Sequence, residues 1–189
     1  MTFRAATLVL ALLALPAQAE DVSQQVKEIV EKDLRAWAAD PALVAAVIAA
    51  NEAHSSLSQP QIDSLDAAWK AELDATSRPT IDPILATPVS QALKAQIEGS
   101  GGRFTEVFVT DNRGLNVAQA SPTSDYWQGD EAKFQETYPK GADAVYVSEV
   151  EFDESSQSYA VQASFTVTDP VTKSPIGMMT VGLNAEMIQ

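Results

Sequence analysis

The sequence predicts an α+β fold in which N-terminal helices pack on a five-stranded antiparallel sheet. Up to about residue 98, apolar residues recur at steps of three and four, the period of helices that bury one face. From residue 104 onward the pattern changes to short runs of β-branched and aromatic residues separated by polar turns, which is typical of strands. Helices that precede the strands, rather than alternating with them, favour an α+β architecture.

The first residues and the chain length predict how the chain is divided. Residues 1–19 have the pattern of a secretory signal peptide, with a basic residue, a short apolar run and a small-x-small site that ends at Ala19. We expect cleavage after Ala19 and a single exported domain over the remaining residues. That domain consists of a helical region, 20–103, and a sheet region, 104–189. The absence of cysteine favours the bacterial periplasm as its location.

Charge and composition exclude several classes of function. The chain carries 26 acidic and 12 basic residues, a net charge of −14, which repels phosphate backbones and disfavours nucleic-acid binding. With no cysteine and only one histidine, His54, the chain lacks the ligands of a zinc centre and the partners of Ser-His catalysis. We therefore predict no metal, no cofactor and no enzymatic activity.

The helical region divides into segments at capping residues and prolines. Asp40 followed by Pro41 has the pattern of an N-cap with proline at the first helical position. Ser58 and Gln61 have the spacing of a capping box. The predicted helices span 21–39, 40–54, 58–73 and 88–98, where the first two are either one broken helix or two segments with a kink, and a proline-punctuated connector spans 78–88.

The sheet region is predicted as a meander with one insertion. Its connections are of hairpin length, which requires antiparallel pairing. The turn 111–114 follows the first strand, and a short helix over 131–137 lies in the insertion. The predicted strands span 104–110, 115–120, 144–152, 159–168 and 176–183.

The stretch 123–131 concentrates groups that bind small molecules, because it holds two large aromatic residues, one amide and three carboxylates. Tyr126 and Trp127 are adjacent, so on an extended backbone only one of them faces a pocket, and we predict Trp127. Asp125, Asp130 and Glu131 are candidates to bind an ammonium group or cation. The alternative is that Asp125 shapes a turn and Asp130 caps the short helix.

Four segments of this sheet region resemble the Cache (PDC) extracytoplasmic sensor domains. Residues 107–115 resemble the first hairpin of that family, and 124–131 resemble the segment that follows it in one branch. Residues 150–155 and 175–177 resemble the later strand signatures. The resemblance implies a PAS-like sheet behind a long N-terminal helix, with amino acids, carboxylates or amines bound on one face of the sheet.

The resemblance also adds two site residues and sets limits on the ligand. Asp153 and Ser155 are implied as ligand contacts, with a plain hairpin turn as the alternative. The spaced Tyr, Arg, Trp, Tyr and Asp signature of the family's amino-acid receptors is not matched by this chain. Family members usually sit in membrane receptors, whereas here we expect a free-standing module.

The sequence thus predicts a soluble periplasmic sensor module that binds a small polar or cationic metabolite without catalysis. Its partner would be a membrane receptor or histidine kinase in signal transduction or chemotaxis. One alternative is a ligand-free interaction protein that forms a homodimer through the apolar face of residues 22–37. Another is an acidic hydrolase. The predicted ligand-binding residues are Tyr126, Trp127, Asp130, Asp153 and Ser155.

Overall fold

The computed structural model describes residues 15–153 and 157–188, and in that range helices come first and strands follow. This confirms the predicted α+β class. Residues 1–14 of the predicted signal peptide lie outside the described residues, so cleavage after Ala19 stays a prediction. Among the residues described, no helix is both long and apolar enough to cross a membrane.

The first helical stretch is continuous and contains one π-helical segment. It is followed by four shorter helices before the first strand, and by one helix within the sheet region. The helices are α1 (Leu15–Ile29), the π segment (Val30–Leu34), α2 (Arg35–Ala38), α3 (Pro41–His54), α4 (Gln59–Glu72), α5 (Ile81–Leu85), α6 (Pro88–Gly99) and α7 (Ala132–Gln135). Two 3-10 turns, Tyr138–Lys140 and Ala185–Met187, complete the helical elements of the described residues.

The predicted helix starts at Asp40 and Ser58 are confirmed, whereas the first helix begins at Leu15 rather than at residue 21. Asp40 Oδ1 accepts hydrogen bonds from the backbone N–H groups of Ala42 and Leu43 at 2.8 and 3.1 Å, so it caps α3. Gln61 Oε1 accepts from the backbone N–H of Ser58 at 2.8 Å, as a capping box requires.

The segment 78–88, predicted as a connector, contains a short helix, α5, that was not predicted. The carboxylate of Glu72, from the end of α4, accepts from the backbone N–H groups of Thr80 and Ile81 at 2.8 and 3.1 Å. It thereby satisfies backbone donors at the start of α5 that would otherwise lack partners. Ile81 is fully buried and fixes the short helix to the protein. The capping residue lies eight positions before Thr80 and on another helix, so the local sequence does not reveal it.

The strands form one antiparallel sheet in the order β2-β1-β6-β5, with β3 and β4 both paired to β5. The predicted meander is therefore wrong at one point, since β6 lies between β1 and β5. In that position β6 pairs with β5 from Pro175 to Asn184 and with β1 from Met178 to Leu183. The strands are β1 (Phe104–Thr110), β2 (Asn116–Gln119), β3 (Val145–Val147), β4 (Glu151–Asp153), β5 (Ser158–Thr168) and β6 (Pro175–Asn184).

The predicted strand 144–152 is two strands rather than one, which gives six strands instead of five. The backbone N–H of Gln162 donates to Ser148 Oγ at 2.9 Å, so the side chain takes a bond that a strand would give to a carbonyl. Beyond that point three residues, 148–150, stand opposite two residues of β5, 161 and 162. The extra residue is a bulge that separates β3 from β4.

The two faces of the sheet differ in character. Alternate residues of β1 point to opposite faces, so Val107 and Val109 lie on the helix side, while Glu106 and Phe108 lie on the other side. The helix side holds the main core. Its buried members from the first helical stretch are Val26, Ile29, Val30, Leu34 and Ala38, and they belong to one cluster with sheet residues that include Val107, Val109, Phe165, Met179 and Val181.

The apolar face of residues 22–37 is thus occupied within this chain. Val26, Val30 and Leu34 are each 0 % exposed and belong to the same core as the sheet. This is the face that the homodimer alternative would use as its seam. A dimer formed through it would have to remove these residues from the core of the monomer.

Candidate functional site

Within the stretch 123–131, Tyr126 belongs to a second, smaller core between α4, α5 and the turn after β1. Its ring stacks on Trp69, with centroids 5.3 Å apart and planes inclined by 22°. Trp69 Nε1 donates to the carbonyl of Thr123 at 2.8 Å. Burial raises the pKa of Tyr126 to about 12. Tyr126 therefore fixes the stretch to α4.

Trp127 connects the stretch to the turn 111–114. Its Nε1 donates to the carbonyl of Arg113 at 2.8 Å, and its backbone pairs with Leu115 as an isolated bridge. Gly129 lies against the indole ring so closely that a Cβ atom there would overlap it. The indole nitrogen of Trp127 thus has its hydrogen-bond acceptor within the protein.

A carboxylate of α4 holds the same backbone. Asp66 Oδ1 accepts from the N–H groups of Tyr126 and Trp127 at 2.9 and 3.1 Å. Lys70, one turn further along α4, pairs with Asp66 at 2.8 Å and with Asp125 at 2.5 Å. Burial favours the neutral form of Asp125, but the hydrogen bonds from Lys70 and Ser124 outweigh it and hold the pKa of this carboxyl group below its ordinary value.

The turn 111–114 is organised by a buried carboxylate. Asp111 is fully buried, and its Oδ1 accepts from the N–H groups of Arg113 and Leu115 at 2.8 and 2.9 Å. Its Oδ2 lies 2.6 Å from His54 Nδ1. No group of three or more His, Cys, Asp or Glu residues in the described part of the chain could hold a metal ion.

An open cavity of about 570 Å³ lies on the face of the sheet that the long helix does not cover. The sheet contributes its base, the start of α7 one wall, and the β3–β4 edge another. The residues that line it are Glu106, Glu131, Ala132, Lys133, Tyr146, Ser148, Glu149, Glu151, Phe152, Asp153, Ala160 and Gln162.

The base of this cavity is a hydrogen bond that crosses a strand. Gln162 on β5 donates from Nε2 to Glu106 Oε1 on β1 at 2.6 Å. Gly182 of β6 is the register partner of both residues and lies between them. A Cβ atom at Gly182 would come within 2.8 Å of Glu106 Cγ. The glycine therefore leaves the space in which the two side chains meet.

The charges in the cavity are unbalanced. Among the described residues, five carboxylates line it and Lys133 is the one lining cation. Lys133 Nζ pairs with Glu131 at 2.9 Å and lies 5.6 Å from the centroid of the Phe108 ring. Burial raises the pKa of Glu106, and the charges of Asp153 and Glu131 act in the same direction, against the hydrogen bond from Gln162 and the charge of Lys133.

The structure separates the predicted site residues into two groups. Asp153 lines the cavity. Glu131, which was a candidate to bind an ammonium group together with Asp125 and Asp130, also lines it. Tyr126, Trp127 and Asp130 are not among the lining residues, and Asp130 is exposed. Ser155 lies outside the described residues. Ligand contact at Tyr126, Trp127 and Asp130 stays a prediction, and these three residues have no place in this cavity. Ligand contact at Ser155 also stays a prediction.

Several lining residues were not predicted from the sequence, above all Glu106, Gln162, Lys133 and Tyr146. Two of them are marked by a recognisable pattern in the sequence. Glu106 and Gln162 are polar residues within apolar strand runs, and such residues point away from the core face when their neighbours point toward it. That sign marks a face, but it does not show that the two residues meet.

Comparisons with known proteins give matches among solved structures alone. No family model matches the chain, and no curated protein matches it. The solved structures with similar folds include the sensor domain of the V. cholerae histidine kinase DctB, with 14 % identity and a TM-score of 0.48 over 91 % of this chain and 55 % of that one.

Two receptor structures are also among the matched solved structures. The ligand-binding domain of the Campylobacter jejuni chemoreceptor Tlp3, in complex with 4-methylisoleucine, is 13 % identical, with a TM-score of 0.39 over 96 % of this chain and 66 % of that one. An extracellular ligand-binding receptor from Desulfohalobium retbaense is 14 % identical, with a TM-score of 0.40 over 94 % of this chain and 26 % of that one. The chain thus spans less than two thirds of the length of each of these three structures.

Proposed function

We propose that this chain is a small-molecule-binding sensor module of Cache type that works outside the cytoplasm. The observation that supports this function best is the cavity on the face of the sheet that the long helix does not cover. Its volume of about 570 Å³ is that of a pocket for a small ligand, for which roughly 300–1,000 Å³ is usual. Polar groups from distant parts of the chain converge in it.

The ligand contacts that we propose come from three directions. Glu106 and Gln162 contact the ligand from the sheet, Glu131 from the start of α7, and Asp153 and Tyr146 from the β3–β4 edge. Asp153 thereby keeps the role that the sequence resemblance implied. All five residues line the cavity.

The stretch that contains Tyr126 and Trp127 has a supporting role in this proposal. Asp66, Trp69 and Lys70 of α4 hold it by hydrogen bonds and an ion pair. The same stretch continues directly into Glu131 and α7, which form one wall of the cavity. A ligand that moves this wall would therefore pull on α4.

Export, partner and chemistry complete the proposal. The signal-peptide pattern of residues 1–19 supports export, and the sensor-type fold supports a membrane receptor or histidine kinase as partner. We propose binding rather than catalysis. The single histidine, His54, is held by Asp111 and is not a lining residue of the cavity.

A thermal-shift screen of the purified protein against amino acids, amines and carboxylates tests this function. We expect at least one compound to raise the melting temperature, and we expect Gln162→Ala to remove that rise. Glu98→Gln is the matched control, because Glu98 is a surface residue of α6 paired with Lys94. A rise that persists in Gln162→Ala would show that the cavity is not the binding site.

A further inference from the structure

We infer that the cavity selects an organic dication, an aliphatic compound with two separated ammonium groups, rather than an amino acid, a carboxylate or a metal ion. This inference rests on the proposed function of the cavity as a ligand site. It goes further by naming the class of ligand from the charges, the spacing and the apolar surfaces of the lining residues.

The first reason is the charge of the lining. Glu106, Glu131, Glu149, Glu151 and Asp153 face one lysine, and that lysine is already paired with Glu131 at 2.9 Å. An anionic ligand would therefore enter a field of the same sign and find no uncommitted cation among the lining residues. A zwitterionic amino acid would gain at its ammonium group and lose at its carboxylate.

The second reason is the repulsion among the carboxylates that surround Glu106. Glu106 is half-buried at the base of the cavity, and the negative charges of Asp153 and Glu131 act on it together. A cation placed among these three carboxylates relieves that repulsion and gains attraction from each of them. The base of the cavity is thus the place for one ammonium group, with Gln162 fixing the orientation of Glu106.

The third reason is the spread of the carboxylates, which argues against a metal ion. In the described chain no three acidic or imidazole groups are close enough to hold one metal. The carboxylates come instead from β1, from the start of α7 and from the β3–β4 edge. Charges distributed along a cavity of about 570 Å³ match an extended molecule with charges at both ends.

Between the charges, the cavity offers apolar surface. Tyr146 on β3 and Ala160 on β5 lie on the same face of the sheet as Gln162 and line the cavity. An aromatic ring accepts both a methylene chain and an ammonium group over its face. A short aliphatic diamine would place its first ammonium group at Glu106 and its second near Glu149 and Glu151, with its methylene groups against Tyr146 and Ala160.

Calorimetric titration of the full chain with 1,4-diaminobutane, butylamine, L-leucine and succinate tests the inference. We expect the diamine to bind about tenfold or more tighter than the monoamine, since a second partly buried ion pair is formed. Binding should weaken as salt is added, because the attraction is between charges. Glu106→Gln and Glu151→Gln should each weaken diamine binding by about tenfold or more, and Glu98→Gln should leave it unchanged.

The outcomes separate the two proposals. If L-leucine or succinate binds, the diamine does not, and Gln162→Ala weakens the ligand that binds, the dication is wrong and the sensor site stands. If the diamine binds equally to the native protein and to both glutamine variants, the cavity is not the site and both proposals fail. Both also fail if none of the four compounds binds. Thermal unfolding of each variant shows whether it is folded, and Glu151, being exposed, can be changed without disturbing the core.

Discussion

Gln162 donates to Glu106 at 2.6 Å across the central strand β6, directly over Gly182. The two residues are 56 positions apart and lie on strands that do not pair with each other. Their contact exists only because β6 separates β1 from β5 by one strand and carries no side chain at that position. This small arrangement defines the base of the cavity, and a change at Gly182 should disturb it first.

Gly182→Ala should reduce ligand binding much more than it reduces stability. The new Cβ atom would lie 2.5 Å from Thr105 Oγ1 and 2.8 Å from Glu106 Cγ, so the Glu106 side chain has to move away from Gln162. Overpacking of this kind costs about 1 kcal/mol or somewhat more. Urea unfolding measures the stability, and titration with whichever compound the screen identifies measures the binding.

Gly99→Ala is the matched control for that change. No atom lies within 4 Å of the Cβ position at Gly99, so its stability should stay within about 0.5 kcal/mol of the native protein and its binding should be unchanged. Equal binding by the two alanine variants would show that Gly182 does not shape the site.

Asp66→Ala should destabilise the protein through the stretch that precedes α7. It leaves the backbone N–H groups of Tyr126 and Trp127 without their acceptor and removes one partner of Lys70. The loss of such buried hydrogen bonds costs about 1–3 kcal/mol. Asp63→Ala on the same helix is the control, because Asp63 is exposed and bonds only Gln59 among the contacts found for it. Equal midpoints of urea unfolding for the two variants would contradict this role of Asp66.

The same region explains how far the sequence predicts this molecule. Local patterns gave the caps at Asp40 and Ser58 and the bounds of β1, because these depend on neighbouring residues. Tyr126 and Trp127 were interpreted as ligand-binding aromatics because the sequence does not show that α4 lies beside them. Once Trp69 and Asp66 are in place, one ring is stacked and both backbone N–H groups are bonded.

The cavity could not be predicted for a related reason. Its base needs the position of β6 between β1 and β5, and loop lengths alone favoured a meander instead. The wall from the β3–β4 edge depends on a bulge in which Ser148 Oγ replaces a backbone acceptor. Both features come from pairing between residues far apart in the chain, which single-sequence periodicity does not record.

The Lys70–Asp125 pair should limit stability at both ends of the pH range. The pKa of Asp125 is lowered, so its contribution is present above the ordinary value of 3.8 and is lost as the pH falls through the lower folded value. The hydrogen bonds to Asp125 and then Asp66 raise the pKa of Lys70, so its contribution is present below 10.5 and is lost as the pH rises above that value.

Lys70→Met tests this pH dependence. In thermal unfolding from about pH 3 to about pH 11, the native protein should gain its advantage over the variant between these two limits and lose it outside them. Lys70 is half exposed, so the advantage should be small and should shrink with added salt. A difference between native and variant that is constant across the range would contradict the contribution of this ion pair.

Glu106→Gln should stabilise the protein while it weakens binding, which is the opposite of what loss of a structural residue does. The pKa of Glu106 is raised, chiefly by burial, so the folded protein binds this proton more tightly than the unfolded chain. The favourable contribution of the protonated form is present below the ordinary pKa and is lost as the pH rises through the folded value. At neutral pH the charged carboxylate therefore costs stability.

Glutamine keeps the shape of the side chain and an oxygen that accepts from Gln162 Nε2, but it removes the charge. The melting temperature of Glu106→Gln should exceed that of the native protein at pH 7, and the difference should decrease as the pH falls through the raised folded pKa of Glu106 toward the ordinary value of 4.5. Glu98→Gln should show no such pH-dependent gain, because Glu98 is exposed. A melting temperature of Glu106→Gln below the native value at pH 7 would mean that the carboxylate stabilises the fold. The presence of a carboxylate at this position would then be explained without a ligand.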